Sequence, residues 1–159
     1  MRVYDFESLE DVNKENFIVM DLKSSSLAQY KKQLGKNFTD LVAIHILLQI
    51  VDAIQGVHNA GLIHRDIKPS NFVMGLRTDE KDKVYLVDFG LAKEHLDPMT
   101  GRAMEPRRNT DFRGTIPYAS LNAHNKEELS RRDDIWSFYI MLLEFLDEQI
   151  PWRTNQNKD

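Results

Sequence analysis

Twelve consecutive residues near the end of the chain, Ile135 to Leu146 (IWSFYIMLLEFL), set the tightest limit on its fold. Ten of the twelve are apolar, and only Ser137 and Glu144 interrupt them. A helix that is apolar on nearly every side has to be surrounded by protein. The arrangement that meets this demand is a mainly helical body packed around one central buried helix, expected over about 132–147.

A second long helix is predicted over 40–59. Leu41, Ile44, Leu47, Leu48, Val51, Ile54 and Val57 recur at steps of three and four. Thr39 or Asp40 stands where a cap belongs, and Gly61 lies just beyond the end. The apolar stretches 41–51 and 135–146 both contain polar residues and read as too short to cross a bilayer. The opening MRVYDFESLE has no apolar core of the kind a signal peptide needs. The expectation is a soluble, intracellular and cytoplasmic chain, with the nucleus also open, and no membrane partner.

Between these helices the signals are shorter. FIVMDL at 17–22 reads as a strand, and Ser24 to Ser26 can start a helix over about 26–33 that Gly35 ends. FVM at 72–74 and VYLVD at 84–88 are strand-like, separated by a polar loop. Residues 92–118 hold no sustained period and contain Pro98, Gly101, Pro106, Gly114 and Pro117. A long irregular segment inside a domain is usually functional or disordered.

Charge narrows the classes of function. The 159 residues carry 21 Lys and Arg against 25 Asp and Glu, a net charge of −4. Residues 1–21 hold all of it, with Asp5, Glu7, Glu10, Asp11, Glu15 and Asp21 against Arg2 and Lys14. The remainder balances at 19 and 19 and has no basic stripe, so nucleic acid is not an expected partner. The chain has no cysteine, which excludes disulfides and thiolate zinc sites and fits a reducing compartment.

Two short motifs carry the chemistry. His64-Arg65-Asp66 directly follows the long helix, in HRDIKPSN, with Lys68 two and Asn71 five residues after Asp66. Asp88-Phe89-Gly90 follows the second short strand. In this order and spacing they resemble the catalytic region of protein kinases. FRGTIPYASLNAH at 112–124, ELSRRDDIWSFYIMLLEF at 128–145 and PWR at 151–153 are similar to the casein kinase I superfamily, and RDDIWSFY with LNAHN to its tau-tubulin kinase branch. Tyr118-Ala119-Ser120 stands where most kinases carry Ala-Pro-Glu.

The resemblance implies a serine/threonine protein kinase with an α+β, kinase-like fold. It implies mostly the helical large lobe with a hinge strand at about 17–24, a catalytic loop at 62–71 and an activation segment at 88–120. ATP and Mg²⁺ would be its cofactors, and protein Ser or Thr hydroxyls its substrates. Asp66 would orient the attacking hydroxyl and accept its proton, and Lys68 would reach the transferring phosphate. Asn71 and Asp88 would supply the oxygen ligands that Mg²⁺ prefers. Thr115 would hydrogen-bond Asp66 and Lys68. His64, Arg65, Phe89, Gly90 and Asp134 would be structural anchors, with Asp134 holding the backbone of the catalytic loop. An acid at that place also suits a helix N-terminus through the dipole, so Asp134 alone has two readings. At the nucleotide, Met20 would be the gatekeeper, the Asp21 carbonyl and Lys23 amide would meet the adenine edge, and Val73 would form the floor.

Three departures from the family pattern shape the expectation. No G-x-G-x-x-G and no strand-borne Lys in a V-A-I-K context precede the hinge, so the small lobe reads as largely absent, with residues 17–22 an orphan strand. The chain therefore reads as the middle of a kinase domain, inactive as written. A non-catalytic binding module of the same fold is the alternative. Pro117 occupies a place where casein kinase I relatives usually carry Arg, and a proline there biases Ile116 away from helical geometry. Thr100 and Thr110 lie in the activation segment. Arg102, Arg107, Arg108 and Arg113 cluster there too, and read as a solvated loop face ahead of an anion site.

Overall fold

A hairpin-like ribbon leads the chain. β1 (Val3–Glu7) and β2 (Phe17–Met20) are antiparallel, with Val3 opposite Met20 and Glu7 opposite Phe17. The computed structural model describes residues 2–7, 17–35, 38–108, 110–146 and 150–154. The expected orphan strand is therefore paired, and it is shorter than expected, ending at Met20. The described side chains of the ribbon are exposed on both faces, Phe6 at 71% and Ile18 at 61%.

The helical body follows. α1 (Leu27–Leu34) starts at a reciprocal cap. Ser26 Oγ accepts the Gln29 amide at 3.3 Å, while Gln29 Oε1 accepts the Ser26 amide at 3.0 Å. α2 (Asp40–Asn59) has Thr39 at its N-cap without a side-chain bond. Ala43, Ile46, Leu47, Ile50 and Ile54 form its buried stripe, set against Leu27, Phe72, Met141 and Phe145 in one core. At 20 residues and a mean hydropathy of 1.6, α2 is long and apolar enough to cross a membrane by length and composition. The apolar stretch 41–51 is one part of this helix, which continues through Asp52 and His58 to Asn59.

Short strands then carry the chain across the body. β3 (Leu62–Ile63) pairs antiparallel with β6 (Lys93–Glu94), and β4 (Phe72–Met74) with β5 (Val84–Leu86). The segment 92–118 thus contains one short strand, a bridge between Leu96 and Ala103, and a 3₁₀ turn at Ile116–Tyr118. Ile116 sits inside that turn, which Ala119 N closes on Ile116 O at 3.2 Å. One turn held by hydrogen bonds overrides the local bias of Pro117.

α3 (Leu121–His124), α4 (Arg131–Phe145) and α5 (Pro151–Thr154) complete the order. α4 begins one residue before the expected start, and Asp147 lies outside the described residues. α4 buries Asp133, Asp134, Ile140, Met141 and Phe145 but leaves Ile135, Trp136 and Tyr139 exposed. The expectation of a helix enclosed on every side is corrected: among the described residues, the other elements cover one face of it.

Candidate active site

Asp134, 1% exposed in the first turn of α4, organises the site. Its Oδ2 accepts the His64 amide and its Oδ1 the Arg65 amide, both at 2.8 Å, and His58 Nε2 meets Oδ2 at 2.8 Å. Of the two readings the sequence allows, the structure places the carboxylate on the loop backbone. Those bonds hold Arg65 at φ 68°, a left-handed conformation that costs a non-glycine residue about 1–2 kcal/mol. The Arg65 Nε further donates to Leu91 O at 2.6 Å, tying the loop to the segment after Gly90.

His64 is fully buried, and burial pushes its pKa below the ordinary histidine value. A neutral ring accounts for its two hydrogen bonds. Nε2 donates to Val87 O and Nδ1 accepts the Asp66 amide, each at 3.3 Å. The Phe89 ring stands edge-on to it, with centroids 5.1 Å apart.

Asp66, Lys68 and Thr115 form a closed triangle. Thr115 Oγ1 donates to Asp66 Oδ1 at 2.7 Å, Lys68 Nζ donates to Thr115 Oγ1 at 2.9 Å, and Lys68 Nζ lies 2.7 Å from Asp66 Oδ2. Asn71 Nδ2 closes the loop behind it, donating to Asp66 O at 2.8 Å and Asp66 Oδ2 at 3.2 Å. Thr115 comes from a segment 49 residues away in sequence. Gly114 permits that approach. At φ 103°, a Cβ there would stand 2.9 Å from Arg65 O.

Asp88 is brought near without joining the triangle. Val87 N donates to Asn71 O at 2.9 Å, so Asp88 follows directly on a backbone bond to Asn71. Its own φ is 63°, and its Oδ1 accepts the Gly90 amide at 3.3 Å. The donor set suits a hard cation. The Asn71 amide spends its NH₂ on Asp66, which leaves Oδ1 as its free ligand atom, and the Asp88 carboxylate is exposed.

The residues expected at a hinge form a separate group. Met20 is exposed. Asp21 accepts Arg2 N at 2.8 Å and Tyr4 OH at 2.7 Å, while Lys23 Nζ is bound to Glu80. Val73 is half-buried in β4 and bridges Ser26, which joins the hinge segment to the strand leaving the catalytic loop.

Sequence reasoning missed several supports. Asp133 accepts Ser120 Oγ at 2.7 Å, Asn122 Nδ2 at 2.8 Å and Ser130 N at 2.7 Å, and Ser137 Oγ donates to Tyr118 O at 2.7 Å. The Ser130–Asp133 spacing is a helix-start signal that could have found the first. Of the basic cluster, Arg107, Arg108 and Arg113 line a cleft of about 300 Å³ together with Arg65, Thr110 and Glu128, and Arg102 does not line it. Glu128 binds Arg107 Nε at 2.6 Å and Lys93 Nζ at 2.9 Å, and Arg107 first, then Lys93, holds its carboxyl down to about 2. Thr100 bonds to Asp97, and Thr110 Oγ1 to Lys126 O.

The family model described as "Protein kinase domain" matches residues 2–159. A Dictyostelium discoideum protein named as a probable serine/threonine-protein kinase is 40% identical over 148 residues, covering 92% of this chain and 30% of that protein. A probable casein kinase I homolog of Encephalitozoon cuniculi is 36% identical over 153 residues, covering 96% of this chain and 49% of that protein. The chain thus spans less than half the length of either curated relative.

Proposed function

This chain belongs to the protein kinase domain family, of the serine/threonine kind by the names of its relatives, and we propose that it is the catalytic segment of a casein kinase I-type enzyme. It would transfer the γ-phosphate of ATP to Ser or Thr hydroxyls of proteins. The observation that carries the reading is the Asp66–Lys68–Thr115 triangle beside Asn71 and Asp88. Two carboxylates, a cation and an amide oxygen, brought together from the loop after β3 and the segment after β5, are what phosphoryl transfer asks of a protein: positioning and charge neutralisation.

In this reading Asp66 orients the incoming hydroxyl and takes its proton as the bond to phosphorus forms. Thr115 holds Oδ1 of Asp66 while Lys68 and Asn71 hold Oδ2, which together fix the plane of the carboxylate. Lys68 neutralises charge on the transferring group, and its bond to Thr115 keeps it from swinging into solvent. Asn71 Oδ1 and the Asp88 carboxylate would hold Mg²⁺, whose chemistry is to neutralise the phosphate oxygens. Residues 17–24 form the hinge, with Met20, the Asp21 carbonyl, the Lys23 amide and Val73 around the adenine. The helical body would then correspond mostly to the large lobe of the family's fold.

Pro117 sets the substrate preference. It offers neither charge nor donor, so no guanidinium–phosphate contact can form from that position. The test is a peptide assay on the domain completed with the glycine-loop lobe and C-terminal helices of the family. Label from γ-labelled ATP should appear on Ser or Thr, with little preference for phospho-primed over unprimed acidic peptides. Pro117→Arg should raise the preference. A wild-type domain that already strongly favours primed peptides contradicts the assignment.

A further inference from the structure

The residues between β2 and α1 are crossed by a chain of polar contacts that the site chemistry does not use. Tyr4 OH donates to Asp21 Oδ1 at 2.7 Å, and Asp21 Oδ2 lies 3.8 Å from Lys23 Nζ. That ammonium reaches Glu80 Oε1 at 3.0 Å and Oε2 at 2.9 Å, and it stands 4.1 Å from the centroid of the Tyr85 ring. Tyr85 OH closes the group by donating to Glu80 Oε2 at 2.9 Å. The relay thus runs from β1, through the hinge segment, to β5.

Lys23 is the link on which it depends. Its side chain is only 7% exposed, although a lysine can normally extend its charge into water. Burying an ammonium is unfavourable unless it is paired, and a paired buried charge fixes geometry more than it adds stability. Asp21 N donates to Arg2 O at 3.0 Å within the ribbon, but among the described residues the backbone bonds to the helical body begin at Ser24, where Ser24 N donates to Met74 O at 2.9 Å and Ser25 O accepts Met74 N at 3.1 Å. Between Asp21 and Lys23, the hold on the helical body comes from the Lys23 side chain. Its partner Tyr85 lies directly across the β4–β5 ladder from Val73, and antiparallel partners share a face.

We propose that Lys23 is a positioning residue: by gripping Glu80 and Tyr85 it holds the Asp21–Lys23 backbone at a fixed height over Val73, and so sets the width of the adenine slot. The inference rests on the nucleotide reading given above and deepens it. It is a role for the side chain, whereas the resemblance uses the Lys23 amide alone. Tyr4 and Asp21 extend the same grip to the ribbon, so the ribbon and the slot are set together.

Amide exchange and adenosine binding by the 159-residue chain separate the two ideas. In Lys23→Met, exchange at the hydrogen-bonded amides of Asp21 and Ser24 should rise about tenfold, with His64 and Arg65 unchanged. Adenosine, titrated calorimetrically, should bind about tenfold more weakly. Glu80→Gln should move both readouts in the same direction, and the double variant should add nothing to Lys23→Met, as for two members of one contact. Tyr85→Phe keeps the ring but loses the hydroxyl on Glu80, and it should give a smaller shift that tests the grip even if Lys23→Met fails to fold. Unchanged exchange in these variants overturns the grip. Raised exchange with unchanged adenosine affinity overturns its role at the slot. A wild-type chain that binds no adenosine removes the nucleotide reading, and this inference with it.

Discussion

Asp134 satisfies two backbone donors, the His64 and Arg65 amides, for which no other acceptor stands among the described residues, and its loss should be felt well beyond its own side chain. Asp134→Ala would leave the buried His64 amide and the half-buried Arg65 amide without these acceptors and would release Arg65 from its left-handed conformation. The expected destabilisation is about 3 kcal/mol or more, read as a lower urea midpoint. Asp134→Asn keeps one oxygen and should fall between. His64 gives a pH signature. Its folded pKa lies below the ordinary 6.5 because of burial, so the unfolded chain takes up the proton first. Stability from this group is therefore present above about pH 6.5 and declines as the pH falls below it. A His64→Gln variant should show a flatter stability profile from pH 7 to pH 5. If the two profiles run parallel, the neutral buried ring is wrong. At this scale the short motifs were legible because HRD, DFG and the Thr115 segment carry their spacing in the sequence. Lys23 with Glu80 was not, since two charged residues 57 positions apart have no local pattern that pairs them.

Elements with a strong period or a cap could be read directly. The α2 pattern predicted its bounds at 40–59, and Gly35 marks the end of α1 in a left-handed C-cap at φ 62°. β1 escaped notice because Asp5 and Glu7 break its apolar run, and only its partner β2 makes it a strand. The buried character of α4 was overread, because composition says how apolar a helix is but not which elements are present to cover it. The β4–β5 turn offers a test at this scale. A Cβ on Gly75 would stand 2.0 Å from Glu80 O, so the turn closes on itself more tightly than any side chain allows. Gly75→Ala should destabilise by about 1–3 kcal/mol. Gly56, in the exposed face of α2 with nothing within 4 Å, is the contrast. Gly56→Ala should stabilise by up to about 1 kcal/mol. Thermal unfolding of both variants checks the pair, and a gain at Gly75 would show that the turn is looser than described.

Among the described residues, the larger core, of α1, α2, β4, β5 and α4, carries the loop with Asp66 and Asn71 on its edge, and two apolar faces stand exposed. Leu41, Ile44 and Leu48 expose one on α2, and Ile135, Trp136 and Tyr139 another on α4. Thr115 is brought to Asp66 by its hydroxyl bond, and the β4–β5 strand pair with the Val87–Asn71 backbone bond brings Asp88 to Asn71. The central claim is that these four residues, with Lys68, form a phosphoryl-transfer centre. Its most direct test is the rate of label transfer from γ-labelled ATP to casein under Mg²⁺, using the domain completed with its glycine-loop lobe and C-terminal helices. Asp66→Ala and Asp88→Ala should each lower kcat by about a hundredfold or more, by removing hydroxyl orientation and metal ligation. Asn71→Ala should show a milder loss, and the 159 residues alone should give no label above a buffer control. Near-full activity in Asp88→Ala, or robust turnover by the chain alone, would contradict the account.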